Sequence, residues 1–145
     1  MLRLASLYCL LSAVALPAFA CGPAVPGLEE GASVSVGRMA DRVWAVTRLA
    51  GQAVAAEAGL WLMVGPGGTV TGQAGCNRYS GLAELDAGVM VFGPLAVTEM
   101  ACAPEVMALE ASFLTLLSQV RGFAVGPEGG LWLSRADGSV VACLK

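Results

Sequence analysis

Short, largely apolar runs separated by glycine-rich and polar turns fill most of this chain. Val43-Trp44-Ala45-Val46-Thr47-Arg48-Leu49 and Leu60-Trp61-Leu62-Met63-Val64 read as strands, because they are short runs rich in β-branched, aromatic and other apolar residues that lead into turn signals. The second run meets Gly65-Pro66-Gly67-Gly68, a turn cluster, and Thr69-Val70-Thr71-Gly72 returns from it, which predicts an antiparallel hairpin. Further strands are expected over Gly81 to Leu85, Val89 to Phe92, Leu95 to Thr98, Phe123 to Val125, Leu131 to Ser134 and Ser139 to Leu144. Asp137-Gly138 between the last two is a strong hairpin signal.

One segment has a different period. Val106, Leu109, Phe113, Leu116, Leu117 and Val120 recur at three- and four-residue steps, which predicts a helix of roughly 16–18 residues beginning at Pro104. Pro104 suits the first turn, Glu105 complements the positive end of the dipole, and Arg121-Gly122 is a fitting stop. An apolar face of this kind needs a sheet to lie on. The Met and Phe residues of the segment are therefore core, and no ligand is needed to explain them.

The N-terminal region follows neither pattern. Residues 1–20 carry Arg3, the apolar run Leu7 to Leu16 and then Pro17-Ala18-Phe19-Ala20, the three-part layout of a cleaved secretory signal. Residues 21–38 are rich in Gly, Pro, Ala and Ser and read as a flexible linker, with Ala32-Ser33-Val34-Ser35-Val36 available as a short strand. The folded body is expected at 39–145, a single domain. Two processing routes meet at Cys21: it is either the first residue of a plain exported protein or the acylated residue of a lipoprotein. Ala18 and Phe19 stand where a lipoprotein signal usually carries Leu and a small residue.

Composition changes this picture in two places. The hydrophobic fraction of 57% and mean hydropathy of +0.72 look membrane-like, yet past residue 20 Gly, Pro or a charge interrupts every apolar stretch before it could span a bilayer. No membrane span is expected. The chain has no histidine, which removes imidazole-activated nucleophiles and imidazole metal sites. With eight Lys and Arg against eleven Asp and Glu, and no basic cluster, nucleic acid is not an expected partner.

Two stretches could carry chemistry. Gly72-Gln73-Ala74-Gly75-Cys76-Asn77-Arg78-Tyr79-Ser80-Gly81 reads as a tight reversal after a strand, since no phosphate-loop pattern is completed. Thr98-Glu99-Met100-Ala101-Cys102 leads into the helix, where the dipole could activate the Cys102 thiol; an exported chain favours a structural disulfide instead. Loss of residues 1–20 removes Cys9 and leaves Cys21, Cys76, Cys102 and Cys143, which allow three pairings. No CxxC pair supports a zinc site, so no metal or cofactor is expected. Glu84, Asp86, Glu99, Glu105, Glu110, Glu128 and Asp137 are scattered and read as solvated surface.

In order and spacing, Trp44, Gly75-Cys76-Asn77 with Gly81, Thr98 with Met100 and Cys102, the helix, and Leu131-Trp132-Leu133 with Asp137-Gly138 resemble the META/HslJ family over about residues 40 to 145. The resemblance implies an α+β fold, a small, strongly curved antiparallel sheet or open barrel with one amphipathic helix packed on it. It implies export or lipid anchoring in the bacterial envelope, and an association with heat shock, with novobiocin resistance, and with motility or virulence in a protozoan relative. No enzymatic activity is established for the family. Trp44, Gly75, Cys76, Asn77, Gly81, Thr98, Met100 and Cys102 are the motif residues it identifies, as fold-defining rather than catalytic positions. It further implies pairing of Cys76 with Cys102, which would leave Cys21 and Cys143 for each other.

The expected function is a non-enzymatic, exported, periplasmic domain, soluble or lipid-anchored through Cys21, that serves stress tolerance or envelope integrity by binding an envelope protein or an apolar ligand in a groove between helix and sheet. A competing expectation is an inhibitor or ligand-binding module directed at an envelope hydrolase, with the Cys76-to-Gly81 turn as its presented loop. A third makes Cys102 a redox thiol.

Overall fold

The computed structural model describes residues 32–126 and 129–145. Ten strands follow one another along the chain: β1 (Val43–Leu49), β2 (Gln52–Ala53), β3 (Leu60–Val64), β4 (Thr69–Ala74), β5 (Arg78–Asp86), β6 (Val89–Phe92), β7 (Ala96–Val97), β8 (Gly122–Val125), β9 (Leu131–Ser134) and β10 (Val140–Leu144). Helix α1 (Ala32–Met39) precedes them and α2 (Pro104–Gln119) lies between β7 and β8.

The sheet does more than curve. Antiparallel neighbours run β1-β3-β4-β5-β6-β8-β9-β10, and β10 pairs back onto β1, so eight strands close a barrel while β2 extends from β1 and β7 from β5. Closure abolishes most of the free edge that an open sheet would carry. The seam is held by Val46 opposite Leu144 and Leu49 opposite Ala142, and by the reciprocal bonds Ala45 N to Lys145 O and Lys145 N to Ala45 O at 2.8 and 2.9 Å.

Period-two alternation sorts the side chains. Leu60, Leu62 and Val64 of β3 and Val70 and Ala74 of β4 point inward and are buried. Trp61, Met63, Thr71 and Gln73 face out from the same strands. Where Tyr79 of β5 crosses the inner face, β4 carries Gly72: a Cβ there would fall 2.3 Å from the Tyr79 ring and from Trp61 O. Tyr79 fills that gap and donates its hydroxyl to Trp61 O at 3.0 Å. Burial pushes its phenol pKa upward.

The apolar face of α2 covers the barrel through Phe113, Leu117 and Val120, and Tyr79 meets Phe113 edge to face with centroids 5.9 Å apart. The helix ends at Gln119, and the Arg121 guanidinium donates back to Ser118 O and Val120 O, closing carbonyls the helix leaves open. The β9–β10 hairpin turns at Asp137-Gly138 as its dipeptide predicts. There the Ser139 hydroxyl and amide donate to Asp137 and lower its carboxyl pKa.

Residues 32–39 differ from expectation. The Val34/Val36 alternation suggests a short strand, but the segment is helical. A helical spacing of three places Val36 and Met39 together on the core, with Met39 fully buried, and the Trp44 indole N–H donates to Met39 O at 2.9 Å. The C-terminal part of the expected linker 21–38 thus forms most of α1; the rest of it, and the leader 1–20, lie outside the described residues. No helix among the described residues is long and apolar enough to cross a membrane.

Candidate functional site

The two stretches singled out by the sequence come together at the mouth of the barrel beside α2. Gly75, at φ +110°, turns the chain from β4 into β5, and Ala74 N donates to Asn77 O at 2.8 Å to close the reversal. Cys76 and Cys102 are disulfide-bonded, with Cα atoms 5.9 Å apart, so the turn is fastened to the segment entering α2. Neither sulfur is therefore a free thiol.

Asn77 is the centre of the arrangement and is only 2% exposed. Its Oδ1 accepts from Thr98 Oγ1 at 2.8 Å and from Met100 N at 2.7 Å. Its Nδ2 donates to Glu110 Oε1 at 2.8 Å and to Met100 O at 3.1 Å. Its backbone N donates to Glu110 Oε2 at 2.7 Å. Every polar atom of the side chain has two partners, so an amide is required: each end of the group meets the opposite polarity.

Glu110 corrects the reading of the acidic residues as solvated surface. It is 5% exposed and sits on the face of α2 shared with Phe113 and Leu117. Its position three residues before Phe113 and seven before Leu117 was the available signal: that spacing places it on the buried stripe. Both its oxygens are satisfied by Asn77, which offsets the cost of burying a carboxylate.

The remaining motif residues serve the same construction or stand apart. Thr98 Oγ1 also accepts from Arg78 N at 3.1 Å. Met100 contributes its backbone alone, and its side chain is 54% exposed. Gly81 lies further along β5, where a Cβ would come within 2.8 Å of Pro94 O and of the Leu95 side chain. Trp44 is buried inside the barrel, away from the knot, with the Arg42 guanidinium carbon 4.2 Å from a ring centroid. Cys143, on β10, is itself disulfide-bonded; its expected partner Cys21, also the candidate acylation site, lies outside the described residues. Among the described residues no three metal-binding side chains gather.

The expected presented loop is mostly folded inward. Cys76 and Asn77 are buried, and only Arg78 and Ser80 of that stretch reach solvent with their side chains. They open instead onto a groove of about 520 Å³ on the outer face of β3, β4, β5 and β7, lined by Trp61, Thr71, Arg78, Ser80, Ala96 and Thr98. This is the opposite side of the sheet from the packed core, where the sequence had placed a groove between helix and sheet. The sequence could not show it, because the lining comes from four strands whose adjacency is a property of the fold.

Comparison with known proteins follows this geometry. The family model for the META domain matches residues 37–145. A solved structure from Burkholderia xenovorans, determined by NMR, superposes with a TM-score of 0.60 at 24% identity, covering 90% of this chain and 94% of that one. A second NMR structure gives a TM-score of 0.55 at 22% identity over 74% of this chain and 91% of the other. Both are likenesses of fold. A search of curated proteins returns no match. The barrel with one main helix packed on it and a family match over most of the chain agree: this chain belongs to the META domain family.

Proposed function

We propose that this protein is an exported, non-enzymatic META domain of the bacterial envelope that supports stress tolerance by holding a partner on the outer face of its barrel. One observation carries the reading. The motif residues are spent inward, on a disulfide and a saturated hydrogen-bond knot, while the strand that starts in that knot exposes Arg78 and Ser80 in an open groove. The motif then acts as a mount that fixes the groove. Rigid placement of a few polar groups beside an aromatic surface is how a small domain reduces the entropy lost on binding. The bridge from Cys102 to Cys76 supports a structural role for this cysteine. Export rests on the three-part leader, and residence in the periplasm, free or acylated at Cys21, follows from it.

Complementation tests this. In a strain lacking the gene, the wild-type protein should restore survival of heat shock. An Arg78→Gln variant, shown to unfold at the wild-type denaturant concentration, should fail. Full rescue by that variant would refute a role for the groove. Intact-mass analysis of the purified protein should find a chain beginning at Cys21, with or without acyl mass; a retained leader would refute export.

A further inference from the structure

We propose that the groove on the outer face of β3, β4, β5 and β7 binds an acidic saccharide, a pyranose unit carrying a carboxylate, with Trp61 as its stacking surface and Arg78 as its anion anchor. This rests on the partner-holding reading above and names the chemistry of the partner.

The argument begins with how the molecule uses its arginines. Arg38 donates to Gly126 O, Arg48 to Gly51 O, Arg121 to Ser118 O and Val120 O, and Arg135 to Gln119 and Ser139, while Arg42 lies over the Trp44 ring. The Arg78 guanidinium has no such partner among the described residues. It stands in a groove whose lining contains no carboxylate, on a chain whose net charge is -3. An unpaired guanidinium in an otherwise acidic protein is complementary to an anion. Its planar fork matches a carboxylate better than a diffuse negative surface.

The rest of the lining selects among carboxylates. Trp61 and Arg78 lie in one cross-strand row, both paired with Gln73 of β4, and so stand two strand spacings apart, roughly 10 Å. Gln73 stands between them, its amide engaged with Gly75 O at 3.0 Å. The neighbouring row places Thr71 directly opposite Ser80, and neither hydroxyl has a hydrogen-bond partner among the described residues. An aromatic face at one end, a guanidinium at the other and two adjacent hydroxyls in the row alongside suit a ring with an apolar C–H face, equatorial hydroxyls and a charged substituent. A peptide added as a further strand would need a long free edge, and β7 offers only two residues.

The test is an NMR titration of the purified protein with trigalacturonate and, separately, with its trimethyl ester, which keeps the sugar skeleton and removes the charge. Trigalacturonate should shift the Trp61 indole N–H and the Thr71, Arg78, Ser80 and Ala96 amides while leaving the buried Trp44 indole unmoved. The ester should bind about tenfold or more weakly, as should Arg78→Gln with the acid form. Thr71→Val, which keeps shape and removes a hydroxyl, should weaken binding by about threefold or more. Equal binding of acid and ester, unchanged binding by Arg78→Gln, or no shift at millimolar trigalacturonate would each overturn the proposal. A tripeptide with a free C-terminal carboxylate that shifts the same residues when trigalacturonate does not would overturn the saccharide assignment. The complementation result separates the two levels: if Arg78→Gln fails in cells while no saccharide binds, this inference falls and the partner-holding role stands.

Discussion

Asn77 shows how narrow a requirement a single side chain can meet. Its oxygen faces two donors and its nitrogen two acceptors, one of them a buried carboxylate. Asn77→Asp would set a carboxylate oxygen against Glu110 Oε1 and is expected to cost about 3 kcal/mol, measured by denaturant unfolding. Adding Glu110→Gln turns that clash back into a hydrogen bond and should recover about half of the loss, so the pair should be strongly non-additive. Tyr79 gives a prediction in pH. Its folded pKa is raised by burial above the ordinary value near 10, so the folded state keeps a proton that the unfolded chain gives up. The stability linked to this proton is complete below pH 10 and declines as pH rises above it. Tyr79→Phe should cost about 1 kcal/mol at neutral pH through the lost bond to Trp61 O, and should flatten the alkaline decline in unfolding free energy. At this scale the motif positions Asn77, Thr98, Met100 and Cys102 were legible in the sequence. The burial of Glu110 was legible in its helical spacing to Phe113 and Leu117 although its charge argues for the surface, but its partner, 33 residues away, was not. Arg78 falls in a segment that reads as a turn, and its place in the groove depends on β3 and β7 lying within reach.

Elements were read best where pattern and local chemistry agree. β1, β3, β6 and β9 fall on the short apolar runs between turn signals, and α2 begins at Pro104. α1 was missed because two valines at a spacing of two satisfy a strand template, whereas the spacing from Val36 to Met39 decided the structure. The disulfide joins elements that the sheet alone does not: it fastens the β4–β5 turn to the entry of α2 across a separation of 26 residues. Replacing Cys76 and Cys102 together by Ser should lower stability by about 3 kcal/mol, and reductant should produce a comparable loss in the wild type and none from this bridge in the variant. Gly72 makes the complementary point inside the sheet. Gly72→Ala would drive a methyl into Trp61 O and the Tyr79 ring, and calorimetry should show a loss of about 3 kcal/mol, far above the effect of alanine at an exposed strand position.

At the scale of the whole molecule, the expectation of a curved sheet with one helix held, and closure into a ring went beyond it. Closure could not be read from the sequence, since nothing in the residues of β1 or β10 distinguishes a seam from two edges. It makes the terminal strand indispensable. Deleting residues 140–145 removes one whole neighbour of both β1 and β9, along with the inward side chains Ala142 and Leu144. Such a chain is expected to lose its near-ultraviolet dichroism and dispersed amide resonances and to aggregate through the two exposed edges. The same seam dictates an order of events during biosynthesis. β10 is translated after every other strand of the barrel, so the ring cannot close until the rest of it has been made, and the pairing of β1 with β10 is a contact of long sequence separation that forms slowly. Until β10 has docked, the remaining strands form an open sheet with two free edges, so the final pairing turns an adhesive intermediate into a sealed ring.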